Sequence, residues 1–453
     1  MEPSERDLVA LIDQAPLRPR YWAVFGLIVT VLVCELFDFF VVGYLVSALA
    51  PMWKLNFGQT TIMLLSAGIG AMVGAVAFGW IADQFGRKVV VLASTSLCCL
   101  AAGSIAFIPE GDWLMFAALR FLVGMGYGGA GASQFAIIAE YTPTSRRTFL
   151  TSSMGVPAGL GLLLAASVVS VLFPVLGWRG TALLGYAPIL LVLVLAFVAP
   201  ESARWLIAKG RWQEARRAAA AMLHLLDRAV PVAGAQQEVP VIAEEPRDPA
   251  RRFWLVVLVQ LGLGTTLTGV LLWGPTILAQ LFQIPAQQAA SYFVAVSISG
   301  LAGRAFFTFL PARIGRVKSG LIVGYVGAAA LIGAGLFHDQ WFGALPAFFL
   351  FLLIAQFFYD GGFSNVTTYA AELFPVRLGA RAMGLSAASG GAGKIIGPLV
   401  LGLMAGTGNL VSPKATEAAV TPAFLFLGGA CLMVGLAYTF LGVETHKRAL
   451  ALA

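Results

Sequence analysis

Six ionisable side chains lie in stretches of chain that are otherwise too apolar to hold charge. Glu35 and Asp38 sit in VLVCELFDFFVVGYLV, Arg120 in MFAALRFLVGMG, Arg304 in a third run, Asp360 in LLIAQFFYDGGF and Lys394 in ASGGAGKIIGPLV. A charge in such surroundings is costly and marks an ion or solute pathway by default. Glu35 and Asp38 are three residues apart, which puts both on one face of a helix. Two carboxylates so close in a low dielectric cannot easily both be ionised, so one is expected to hold a proton. Arginine keeps its charge and suits a carboxylate fork, so Arg120 fits either a lasting pair with Asp38 or Glu35 or an anion that displaces them. Lys394 offers a second cation. Its chemistry is open between binding an anion and pairing structurally with Asp360. Tyr44, Gln260, Trp273, Gln356 and Asn365 add aromatic faces and neutral hydrogen-bonding groups to the candidate binding set.

What positions these residues is a series of membrane spans. The chain has 453 residues, 59% hydrophobic and 11% charged, against about 25% charged in a soluble domain. Taking roughly 20 apolar residues per span, the expected spans lie near 22–50, 58–82, 88–108, 113–138, 149–173, 180–199, 253–281, 288–310, 319–338, 342–370, 381–406 and 421–441. Glu35 and Asp38 then fall roughly 20–24 Å along the first helix at 1.5 Å per residue. The fold class is all-α, with twelve transmembrane helices in two six-helix halves. Residues 1–199 form the first half, 200–252 a cytoplasmic linker and 253–453 the second half. The linker begins with an amphipathic stretch, RWQEARRAAAAMLHLL, and continues into a Pro-, Gln- and Glu-rich part expected to be disordered.

Charge placement gives an orientation. Of the 29 Lys and Arg, 23 fall in segments on the side of the N-terminus, three (Lys54, Arg179, Lys414) on the other side and three within spans. Positive residues accumulate in the cytoplasm, so both termini are expected there. The same dispersion argues against nucleic acid as a partner. Cys34, Cys98, Cys99 and Cys431 lie in apolar runs without metal-ligand spacing, and there is no GxxxxGK[ST] phosphate loop. Neither a metal nor any other cofactor is expected, and no enzymatic constellation is present.

An internal repeat runs through the chain. Gly86-Arg87-Lys88 has a counterpart in Gly315-Arg316, Glu140-Tyr-Thr-Pro143 with Arg146 in Glu372-Leu-Phe-Pro375 with Arg377, and Glu201 in Glu444. The offsets are 229 (87 to 316), 232 (140 to 372) and 243 (201 to 444) residues. Asp83, Arg87, Glu140, Arg146, Glu372 and Arg377 are expected to form a cytoplasmic gate, with ion pairs between the halves that break on opening. Arg304 is expected in that same layer.

These motifs carry a resemblance to the major facilitator superfamily. GWIADQFGRK resembles its signature between helices 2 and 3. RFLVGMGYGG with Glu140, and PESARWL after helix 6, resemble the branch that holds sugar porters, organic-ion transporters and organic-acid/proton symporters. GGAGKIIGP resembles helix 11 of aromatic-acid/proton symporters, which usually have arginine where this chain has Lys394. ELFDFFVVGY has acids in mid-helix as those symporters do, without their DGxD-like pattern. The paired glutamines of sugar porters are not present in the seventh span, which has Gln260 alone.

The resemblance implies proton-coupled symport of a small organic anion, a carboxylate with aromatic ones included, by alternating access. Asp38 and Glu35 would carry the proton, and Arg120 and Lys394 would meet the anion. The partners expected are that solute, protons and the bilayer of a bacterial inner membrane, with no oligomer required. A sugar or polyol porter, a drug or metabolite/proton antiporter and a transport-dead receptor are the alternatives.

Overall fold

The computed structural model describes residues 8, 12–13, 15–223, 248–374 and 376–445, without the side chains at 144–145, 148–149, 152, 367–368, 371–372 and 376–387. The Pro-, Gln- and Glu-rich part of the linker lies outside the described residues. Apolar helices dominate because a chain in lipid must satisfy its backbone groups internally. In order they are α1 (Pro19–Met52), α2 (Phe57–Phe85), α3 (Arg87–Ser104), α4 (Trp113–Tyr141), α5 (Thr144–Ser153), α6 (Gly155–Leu183) and α7 (Ile189–Val198). The linker follows with α8 (Ala203–Ala208) and α9 (Trp212–Leu223). The second half has α10 (Pro249–Leu281), α11 (Ala286–Ile314), α12 (Arg316–Leu336), α13 (Ala347–Leu373), α14 (Val376–Met404) and α15 (Pro413–Leu441). A two-strand hairpin, Trp341–Phe342 with Leu345–Pro346, joins α12 to α13.

Among the described residues ten stretches are long and apolar enough to cross a membrane, and a shorter apolar helix covers Ala388–Met404. One of the ten, Gly155–Val198, is 44 residues long. At 1.5 Å per residue that is about 66 Å, twice a bilayer core of about 30 Å. It breaks at Gly177, where φ is 63° and ψ is −174°. Only glycine adopts that backbone cheaply, so the stretch counts as two spans and the total is twelve.

The repeat read from the sequence has a structural counterpart at the face that carries both ends of the helical array. Gly86 and Gly315 have φ of 106° and 96° and start α3 and α12. The Glu201 carboxylate accepts the amides of Arg87 (3.0 Å) and Lys88 (3.1 Å). The Glu444 carboxylate accepts those of Arg316 (2.9 Å) and Val317 (3.2 Å). In each half a glutamate after the sixth span therefore caps the third, where free amides and the helix dipole favour an anion. Arg20 and Arg251 repeat a second bond, from the start of a half to the Val198 and Gly442 carbonyls at its end (3.0 and 3.1 Å).

Within the halves α2 packs on α4, α1 on α6, α11 on α13 and α10 on α14. Between them α6 meets α11, α2 meets α14 and α1 meets α10, a two-fold arrangement. On the face opposite the termini the halves are joined by main chain. The amides of Phe57 and Gly58 donate to the carbonyls of Asn409 and Thr407, both at 2.9 Å, and Val411 donates to Leu55 at 3.1 Å. Asn56 and Leu410 form an antiparallel bridge there. Leu8 and Ile12, with Ala215, Ala218, Ala219, Met222 and Leu223 of α9, are buried, so the linker helix docks by the apolar side of its 3.6-residue period.

Candidate functional site: a charged centre between the two halves

Helix α1 brings Glu35 and Asp38 into the middle of the first half, where they are 1% and 2% exposed. They have separate surroundings. Thr95 Oγ1 donates to Glu35 Oε1 at 2.6 Å, and Gln134 Nε2 donates to Glu35 Oε2 at 3.0 Å. Glu35 is thereby fixed among α1, α3 and α4. Asp38 Oδ2 is buried and, among the described residues, has no hydrogen-bond partner.

Arg120, 1% exposed on α4, lies against Asp38 without forking onto its carboxylate. Nη1 donates to the Asp38 carbonyl at 2.6 Å and Nη2 to the Phe39 carbonyl at 2.7 Å. Helical carbonyls keep a second lone pair for such bonds. The pair between Arg120 and a carboxylate of α1, one of the two readings the sequence left open, gives way to a clasp on the main chain of α1. A carboxylate beside a guanidinium committed to carbonyls can gain and lose a proton without a salt bridge being broken.

Lys394 projects from α14 in the second half onto two rings of the first. Its Nζ is 5.7 Å from the centroid of Phe39 and 5.3 Å from that of Tyr127. The rings are 5.0 Å apart and tilted by 44°. Among the described residues the ammonium has neither an ion pair nor a hydrogen bond. Lys394 is half-buried, and cation–π attraction offsets part of its desolvation. The Asp360–Lys394 pair weighed from the sequence is not formed. Asp360 Oδ1 accepts from Arg304 Nη2 at 2.6 Å, and Arg304 Nη1 reaches the Gly155 carbonyl across the halves at 2.8 Å. Arg304 is 7% exposed, so its pair with Asp360 is buried where the halves meet. Packing of α11 on α13 is the reason: it turns Arg304 and Asp360 towards each other.

The neutral candidates separate by location. Gln260 faces α14 one turn before Lys394, since a Cβ built on Gly390 would be 3.4 Å from its Oε1. Tyr44 is buried with its ring 6.0 Å from that of Phe293. Gln356 accepts from the Tyr359 hydroxyl, and its buried Nε2 has no partner among the described residues. Trp273 stacks on Phe57 at 5.5 Å and donates to the Pro398 carbonyl at 3.0 Å, which makes it part of the closed face opposite the termini. Asn365 bonds the Arg316 carbonyl at 3.1 Å and the Tyr438 hydroxyl at 3.4 Å, inside the second half and away from Lys394. Tyr127, Thr95 and Gln134 were not singled out from the sequence. Tyr127 carried one usable signal: it follows Arg120 by seven residues, on the same face of α4.

The gate residues of the first half do cluster, but inside that half. Arg87 Nη1 is 3.4 Å from Asp83 Oδ1, and its Nε is 3.5 Å from Glu140 Oε1. Ser202 donates to Glu140, and Trp205 Nε1 donates to the Asp83 carbonyl at 3.2 Å. These partners all come from α2, α3, α4, α8 and the residue before it. Arg146 is exposed. Arg147 beside it meets Asp13 at 2.7 Å, and Arg204 meets the same carboxylate at 2.6 Å. The side chains of Glu372 and Arg377 lie outside the described residues.

The sequence model of a family described as "Sugar (and other) transporter" matches residues 28–453. The niacin transporter NiaP of Acinetobacter baylyi is 27% identical over 410 residues, 87% of this chain and 90% of that one. The 4-hydroxybenzoate transporter PcaK of Pseudomonas aeruginosa is 33% identical over 209 residues, 46% of each chain. Among solved structures, the xylose transporter XylE of E. coli in a partially occluded inward-open conformation superposes with a TM-score of 0.72 at 18% identity, covering 94% of this chain and 99% of that one. The fold is therefore that of the major facilitator transporters.

Proposed function

The chain belongs to the sugar (and other) transporter family, and we propose that it is a proton-coupled symporter of a small organic carboxylate. It is a multi-pass membrane carrier and not an enzyme. One observation carries the choice of an anion: Lys394, half-buried at the boundary of the halves, lays its ammonium against the rings of Phe39 and Tyr127 and, among the described residues, pairs with no carboxylate. A cation held partly out of water without a counter-ion attracts a carboxylate through charge-assisted hydrogen bonds. Niacin and 4-hydroxybenzoate, named for two relatives, are both flat aromatic carboxylates, which supports the same class here.

In this reading Asp38 is the proton carrier and Glu35 its fixed neighbour. The carboxylate of the solute meets Lys394, with Arg120 holding α1 in register behind it and Gln260, Tyr44 and Gln356 as further lining. The halves 1–199 and 253–453 rock about the centre, with 200–252 as the strap between them. The Asp83–Arg87–Glu140 cluster stiffens the inner end of the first half while the halves part. Both termini face the cytoplasm of a bacterium, on the charge asymmetry, and one chain forms the whole pathway.

A thermal-shift panel on the detergent-purified protein tests this. Carboxylates, amines and sugars are compared at pH 5.5 and 7.5. A ligand at 100 times its dissociation constant stabilises by about 2.7 kcal/mol. Carboxylates alone should stabilise, and more at pH 5.5. Stabilisation by sugars or amines instead would overturn the assignment.

A further inference from the structure

We infer that Phe39 and Tyr127 form a ring platform that selects flat aromatic carboxylates over aliphatic ones of equal size and charge. The inference rests on the carboxylate reading above and assigns specificity within it. The two rings come from different helices of the first half, and both take the same cation from the second. Phe39 is held in place independently of Lys394. The Phe39 carbonyl is gripped by Arg120 at 2.7 Å, and its ring is backed edge-on by Phe40 at 5.0 Å. Tyr127 stands two turns from Arg120 on the same face of α4, so one helix face grips the main chain of Phe39 and carries the ring beside its side chain. When a carboxylate draws the ammonium away, the ring faces it covered are left at stacking distance from the body of the anion. A planar π-system fits there in offset or edge-to-face geometry. A saturated ring of the same volume has no flat face to present. The same rings thus hold the cation when the site is empty and the solute when it is loaded.

The test compares benzoate with cyclohexanecarboxylate, which match in charge and nearly in size and differ in planarity. Dissociation constants are measured on the full-length purified protein by thermal shift. The wild type should prefer benzoate by about five- to tenfold, from the typical strength of an aromatic pair. Tyr127→Leu and Phe39→Leu should bring that ratio close to one, and Tyr127→Phe should keep it. Retained cyclohexanecarboxylate binding shows that the variants are folded. If both leucine variants bind both acids with the wild-type ratio, the platform is overturned and the carboxylate reading stands. Loss of the ratio in Tyr127→Phe would assign selectivity to the hydroxyl and also overturn the platform. If neither acid binds the wild type, the carboxylate reading fails and takes this inference with it.

Discussion

Each half buries an arginine beside an aspartate and handles the two in a different way. In the second half Arg304 meets Asp360 directly at 2.6 Å and extends its other nitrogen to Gly155 of the first half. In the first half Arg120 passes the Asp38 carboxylate and grips two carbonyls instead, leaving Asp38 Oδ2 without a bond among the described residues. Opposite charges close together in a low dielectric therefore do not by themselves make an ion pair. The direct pair is suited to hold helices together. The bypassed carboxylate is suited to change its charge, because nothing has to break when it does.

Three substitutions sharpen or break this contrast. Asp360→Asn should be the most damaging to stability, since removing one partner strands Arg304 and typically costs about 3–5 kcal/mol. Chemical or thermal unfolding in detergent measures it, and a loss below about 1 kcal/mol would mean that the pair holds nothing. Next comes Lys394→Gln, which removes a charge-assisted contact worth about 1.5–3 kcal/mol. Carboxylate dissociation constants should rise by about 10- to 100-fold, with stability little changed; unaltered constants would remove Lys394 from the site. Asp38→Asn should have the smallest effect on unfolding, under about 1 kcal/mol, because it breaks no salt bridge. Yet proteoliposomes with this variant should lose accumulation driven by a pH gradient while keeping solute counterflow. Persistent gradient-driven accumulation would dismiss Asp38 as the proton carrier.

Much of the frame could be read from composition and spacing alone. Apolar run lengths placed the spans, and the offsets from Glu201 to Glu444 and from Arg87 to Arg316 matched two capped helix starts. These signals are local or periodic, so they survive without a structure. The choice of partners does not. Lys394 was the cation weighed for Asp360 from the sequence, and the rotation of α11, α13 and α14 about their axes gave it Arg304 instead. One residue of helix phase turns a side chain by about 100°, more than enough to exchange one neighbour for another. Tyr127 was hidden in a run of glycines whose packing role masked it. Arg120 could not be resolved either, because its acceptors are main-chain carbonyls that every sequence has.

The bonds that close the face opposite the termini share that silence. Three amides, those of Phe57, Gly58 and Val411, donate across the two halves to Asn409, Thr407 and Leu55. No side chain takes part in them, so most substitutions leave them standing. They can still be followed by isotope exchange. Each of the three N–H groups is shielded only while the halves meet on that side and is handed to water whenever they part. Their deuterium uptake, set against amides deep inside α2, would time the opening of that face without a label, a mutation or a ligand.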